Sequence, residues 1–155
     1  MNGLTPGQSA EDAVAAIVPP TWSLINVTLS VEVPDQDIID LLETAACGGI
    51  NYWASALTID EEARTVQIFL SPENDDDPSF PAMRLLKFEW IAKRLVQLGT
   101  GQEVDGSFSG HAGVRRQAAR YVSDVMSGGL LADLDAEVAD IVVQLAYFNG
   151  IVVFG

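Results

Sequence analysis

One cysteine, Cys47, and one histidine, His111, are the whole supply of these side chains among the 155 residues of the chain. A single thiol excludes an intrachain disulfide and a thiolate-rich metal site. In the setting Thr44-Ala45-Ala46-Cys47 it is expected to pack as a small hydrophobe, because a reactive thiolate needs an electropositive neighbourhood and this stretch is acidic. A single histidine leaves a Ser-His-Asp arrangement no choice of base, and no nucleophile-elbow pattern accompanies it. Long apolar runs are missing too: none reaches the roughly 18 residues that span a bilayer. No basic residue precedes Glu11, and the short apolar stretch 13–18 ends at Pro19-Pro20, so no signal peptide is read here and the chain is expected in the cytoplasm. Cations are scarce, with 8 Lys and Arg against 22 Asp and Glu, for a net charge of −14. Their placement is uneven: residues 1–63 and 121–155 contain none, and all eight fall between 64 and 120. Such a balance argues against binding nucleic acid through its phosphates.

What is present is enough apolar material for a core. Hydrophobic residues make up 48% of the chain, its mean hydropathy is +0.22, and only 19% of it is charged, which excludes a disordered acidic tail. The length fits one domain. Residues 1–22, broken by Gly3, Pro6 and Gly7, read as a loosely ordered lead-in to a single domain over 23–155. Alternation over Leu24–Val33 predicts a half-buried strand. Asp35 is placed to cap a helix whose stripe is Ile38, Leu41, Leu42 and Ala45, with Asp37, Asp40 and Glu43 outside it and Gly48-Gly49 as a left-handed exit. Ile50–Leu57 and Thr65–Leu70 read as a hairpin, with Tyr52 and Trp53 on opposite faces. The prolines and aspartates of 71–81 make a loop. Met83–Phe88 reads as a short strand, and Trp90–Leu98 and His111–Met126 as helices, the latter ended by Gly128-Gly129. Asp135 caps a last helix that Asn149-Gly150 closes, and Ile151–Phe154 is expected as a strand inserted in the sheet, since an apolar edge left open invites aggregation. The class is therefore α+β: a small mixed or antiparallel sheet with about four helices, the first strand–helix–strand passage being a candidate right-handed parallel crossover.

Two stretches carry a resemblance. DIIDLLETAACGGINYW, Asp37–Trp53, and DLDAEVADIVVQLAYFNGIVVFG, Asp133–Gly155, resemble the opening and closing blocks of small acidic accessory proteins of bacteriophages of Gram-positive hosts. The resemblance implies a setting rather than a mechanism. Proteins of this kind often blunt host defence.

Three groups of residues are candidates for chemistry. Tyr52 and Trp53, beside a glycine pair, present aromatics suited to stacking on a base, although a core ring and a sheet-covering ring are the simpler account of them. Asp60-Glu61-Glu62 and Asp75-Asp76-Asp77 lack the alternation that a calcium loop needs and read as solvated charge, so no metal is assigned. The third is DGSFSGHAGVRRQAAR, residues 105–120. Small residues including Ser107 and Ser109 lead into a helix start, whose N–H groups suit an anion. His111 and Arg115 share one face, and Arg116 and Arg120 another. Pairing with the surplus acids is the simpler account of these arginines. The function expected is a binding protein without a cofactor that sequesters a small anionic, nucleotide-derived ligand. An acidic decoy that blocks a host defence protein through residues 32–62 and 133–140 is the alternative, and a phosphodiesterase-like enzyme the third. Neither membrane nor nucleic-acid contact is expected, and self-association is left open.

Overall fold

The computed structural model describes residue 23 and residues 28–102, 111–128 and 134–154. Within them, helix α1 (Asp35–Thr44) runs into a π-helical turn, Ala45–Gly49. Strands β1 (Ala54–Asp60), β2 (Thr65–Leu70) and β3 (Met83–Lys87) follow, then helices α2 (Phe88–Thr100), α3 (Ala112–Ser127) and α4 (Ala136–Tyr147). The expected α+β class and the four helices are present. Among the described residues the sheet is an antiparallel meander in the order β1-β2-β3, and the first strand–helix–strand passage makes no parallel crossover there.

β2 has the extent its alternation predicted. Val66, Ile68 and Leu70 are buried, while Phe69 on the opposite face is exposed. β1 begins later than expected, at Ala54, because Ile50 accepts backbone bonds from Trp53 and Ala54 and the chain turns there. Tyr52 and Trp53 therefore belong to a turn, and strand alternation does not govern them.

Segment 28–33 is not a strand, and residues 24–27 lie outside the described ones. Its alternation survives in part: Val31 and Val33 pack against the core, while Leu29 of the same row is exposed. Alternation reports a half-buried extended chain and says nothing of a ladder partner. Gly48-Gly49 is not a left-handed exit either. Gly49 is required by contact, since a Cβ there would stand 2.7 Å from the carbonyl oxygen of Ala136 on α4.

α4 is the centre of the molecule. Every residue from Val138 to Tyr147 is buried, so this helix is surrounded on all sides. Asp135 caps it, its Oδ1 accepting from the Val138 N–H at 2.9 Å. Asn149 and Gly150 close it with positive φ angles of 57° and 97°. α2 and α3 cross closely at Gly99, where a Cβ would lie 2.5 Å from the Ala118 carbonyl oxygen.

The C-terminal residues 151–154 are not a strand of the sheet. Their edge is satisfied by a side chain. Gln144 Oε1 accepts from the Val153 and Phe154 N–H groups at 3.0 and 2.8 Å, and its Nε2 donates to the Phe154 carbonyl at 2.7 Å. One buried amide thus does what a neighbouring strand was expected to do. Cys47 is exposed rather than packed, as the π turn carries it to the surface. Among the described residues no helix is long and apolar enough to cross a membrane.

Candidate functional site

The two blocks 37–53 and 133–155 meet at one buried carboxylate. Asp140, on α4, accepts from the Tyr52 hydroxyl at 2.6 Å and from the Trp53 indole N–H at 2.7 Å. Gln144, one turn on, donates to Asp140 at 3.0 Å and to the Tyr52 oxygen at 3.1 Å. Trp53 is 0% exposed and stacks on Phe154 with ring centroids 6.1 Å apart and planes 9° off parallel. It has no face left for a ligand. Tyr52 is 51% exposed, but its hydroxyl is committed. Desolvation, then the Asp140 hydrogen bond and charge, hold its pKa well above the usual phenol value. These two aromatics build the scaffold.

A second buried carboxylate mirrors the first. Asp37 was expected on the wet side of α1, yet it is buried and accepts from the Tyr121 hydroxyl of α3 at 2.6 Å. Burial first, and then Asp37, raise the pKa of Tyr121.

The helix start at 111 is partly engaged. His111 Nδ1 lies 3.0 Å from a Glu137 oxygen, and Gln117 ties α3 to Asp135 at the head of α4. Arg115 is half-buried, Arg116 and Arg120 are exposed, and Ser107 and Ser109 lie outside the described residues.

Cations gather elsewhere. A cavity of about 500 Å³ is bordered by Arg84 and Leu85 of β3, by Trp90, Lys93 and Arg94 of α2, and by Asn149 beyond α4. Trp90, Lys93 and Arg94 stand at i, i+3 and i+4, one face of one helix. Among the described residues no acidic side chain borders this cavity, and Arg84, Lys93 and Arg94 form no ion pair. Arg84 instead lies over the Tyr147 ring, 5.7 Å from its centroid. Arg94 donates to the neutral oxygens of Gln97, at 3.0 Å, and Asn149, at 3.4 Å. Its guanidinium also packs against Gly150, where a Cβ would stand 3.4 Å from Nη1. Trp90 is 46% exposed, with the Lys87 ammonium 5.8 Å from its ring centroid.

Physically this is a pair of half-buried guanidinium groups and an exposed ammonium, with no carboxylate partner among the described residues, beside an open aromatic. Such a set attracts a planar anion. Sequence reasoning passed over it in favour of residues 105–120. The signal was there: Arg84, Lys87, Lys93 and Arg94 place four of the eight cations within residues 84–94, against one acid, Glu89. What the sequence did not display was β3 and α2 folding back on each other without a loop. Compared with family models, curated proteins and solved structures, the chain finds no match.

Proposed function

We propose that this chain is a phage-type accessory binding protein that sequesters a small nucleotide-derived anion, and that the groove between β3 and α2 takes it. One observation supports the reading above the rest. In a chain with 22 acids, Arg84, Lys93 and Arg94 share a cavity and none has a carboxylate partner among the described residues. Clustered like charges repel, so leaving them unpaired costs stability unless a ligand returns it. Phosphate suits the arginine forks, and the exposed Trp90 ring suits a base. The cavity lies within the roughly 300–1,000 Å³ typical of small-ligand sites.

A thermal-shift panel of cyclic and linear nucleotides, followed by titration calorimetry, tests this. Arg94→Gln is expected to weaken the best ligand by about ten- to a hundredfold, the loss of a charge-assisted contact, with the circular dichroism unchanged. Arg115→Ala serves as the contrasting variant. If it abolishes binding while Arg94→Gln has no effect, the ligand sits at the helix start near His111 and the groove assignment is wrong. Recovery of intact ligand by chromatography separates sequestration from phosphodiester cleavage.

A further inference from the structure

The same groove has a feature that a small ligand would not use: it runs along the outer edge of a strand. β3 pairs with β2 on one side and, among the described residues, with nothing on the other. Backbone bonds from Leu70 N–H to Ala82 and from Phe88 N–H to Arg64 show that the even-numbered residues face β2. The two-residue period of an antiparallel ladder then turns the N–H and C=O of Met83 and Leu85, and the N–H of Lys87, toward the groove. No bulge or proline interrupts β3. Its outward face is apolar at Leu85, 58% exposed, and at Met83, which stands opposite the exposed Phe69, and ends in Lys87. Its inner side, carrying Arg84, looks toward Lys93 and Arg94 across the cavity.

We infer that the edge of β3 accepts an extended, acidic segment of a partner protein by strand addition. The geometry specifies the segment. Side chains of an added strand alternate, one row beside Met83 and Leu85 and the other toward Arg84, Lys93 and Arg94. The fitting sequence therefore alternates apolar and acidic residues. A second copy of this chain fits poorly, because two-fold pairing of β3 with itself would bring the two sets of cations together. The inference goes beyond the small-ligand reading, since it rests on backbone groups which that reading leaves idle.

The probe is an acetylated, amidated hexapeptide alternating Glu and Val. A block peptide of the same composition and an alternating Lys–Val peptide accompany it. Amide exchange on the unaltered chain should show Leu85 and Lys87 unprotected alone and protected with the Glu–Val peptide. Met83→Pro, at the first residue of β3 and outside the cavity lining, removes one edge-facing N–H without touching the β2 ladder, a position where edge strands tolerate proline. It should weaken the peptide by about tenfold or more and leave nucleotide affinity unchanged, whereas Arg94→Gln weakens both. Should the proline variant fail to fold, the exchange result on the unaltered chain still decides. The inference is overturned if the block or Lys–Val peptide binds equally well, or if Leu85 stays unprotected at saturating peptide. It also falls if sedimentation finds a dimer with Leu85 already protected. Protection by peptide together with no nucleotide binding would sink the small-ligand reading alone.

Discussion

All three tyrosines spend their hydroxyls on internal acceptors: Tyr52 on Asp140, Tyr121 on Asp37, and Tyr147 on the Pro81 carbonyl at 2.5 Å. Each has its pKa raised, with burial the leading cause; for Tyr147 the value is about 12, Arg84 pulling it down and Asp75 pushing it up. The linkage has a definite sign. A phenol whose folded pKa lies above its unfolded value of about 10 favours the native state fully below that value, and the advantage is lost as pH rises beyond it. Stability is thus expected to decline from about pH 10 upward. Tyrosinate absorbance should appear in one step with unfolding instead of preceding it, which a pH titration at the tyrosinate band followed alongside circular dichroism will check. At acid pH, Asp35 works in the other direction. Its pKa is lowered first by the hydrogen bond from Arg64 and then by that cation's charge, so this contribution is present above the unfolded value and fades as pH falls through the folded one.

Asp140 allows a finer test. Asparagine keeps the shape and one carbonyl oxygen, which can serve Trp53, while its amide turns to the Tyr52 oxygen, a group able to accept. Leucine leaves the Trp53 N–H, a donor only, buried with no acceptor. Asp140→Asn is therefore expected to cost about 1 kcal/mol and Asp140→Leu about 3 kcal/mol or more. In the asparagine variant the Tyr52 phenol should titrate lower than in the parent, because the hydrogen bond and charge of Asp140 are gone. Urea melts of the pair, which differ by one functional group, measure the first expectation.

Among the elements, the C-terminal segment depends most on one side chain. Gln144→Leu keeps the volume but strands the Val153 and Phe154 N–H groups and the Phe154 carbonyl. An unpaired buried group costs about 1–3 kcal/mol, but this segment is half-buried and can peel into water, so the total should fall near 2 kcal/mol. Exchange protection at Val153 and Phe154 should vanish while that of α4 persists; retained protection would show that ring packing against Trp53 suffices. This element also marks where the sequence stopped speaking. Helix ends were legible where their signals are local, as at the Asp135 cap, the positive φ of Asn149-Gly150 and the left-handed Gly128. β2 was legible for the same reason. The ends of α1 were not: Pro34 and not Asp35 stands at the cap position, without a side-chain bond, and Gly48-Gly49 makes no left-handed exit. The C-terminal segment was read correctly as apolar and anchored, and incorrectly as a strand, because its partner is a glutamine inside a helix pattern that otherwise announces only burial. Asp37 and the Tyr52-Trp53 turn were misplaced by the same blindness. Their directions are set by Tyr121 and Asp140, residues 84 and 88 positions away along the chain. The cationic groove needed the β3–α2 fold-back and lay beyond reach as a site, though not as a composition.

At the scale of the molecule, net charge and local charge oppose one another. With −14 overall, self-repulsion should ease as salt screens it, and the melting temperature should rise with ionic strength from low values. A calorimetric series in sodium chloride is sufficient, and a flat response would mean that the acids lie too far apart to interact. The groove should show the reverse, its affinity for anions falling with salt. The two tryptophans described here turn this opposition into an optical signal. Trp53 is sealed and Trp90 is open beside Lys87 and the groove cations. In a Trp22→Phe background, the light quenched by small solutes comes from Trp90. A protein this acidic should, taken whole, turn iodide away and draw caesium in. Emission from Trp90 should nonetheless be quenched more steeply by iodide than by caesium, because the chromophore samples the ions of its own few ångströms and not those of the molecule's average field.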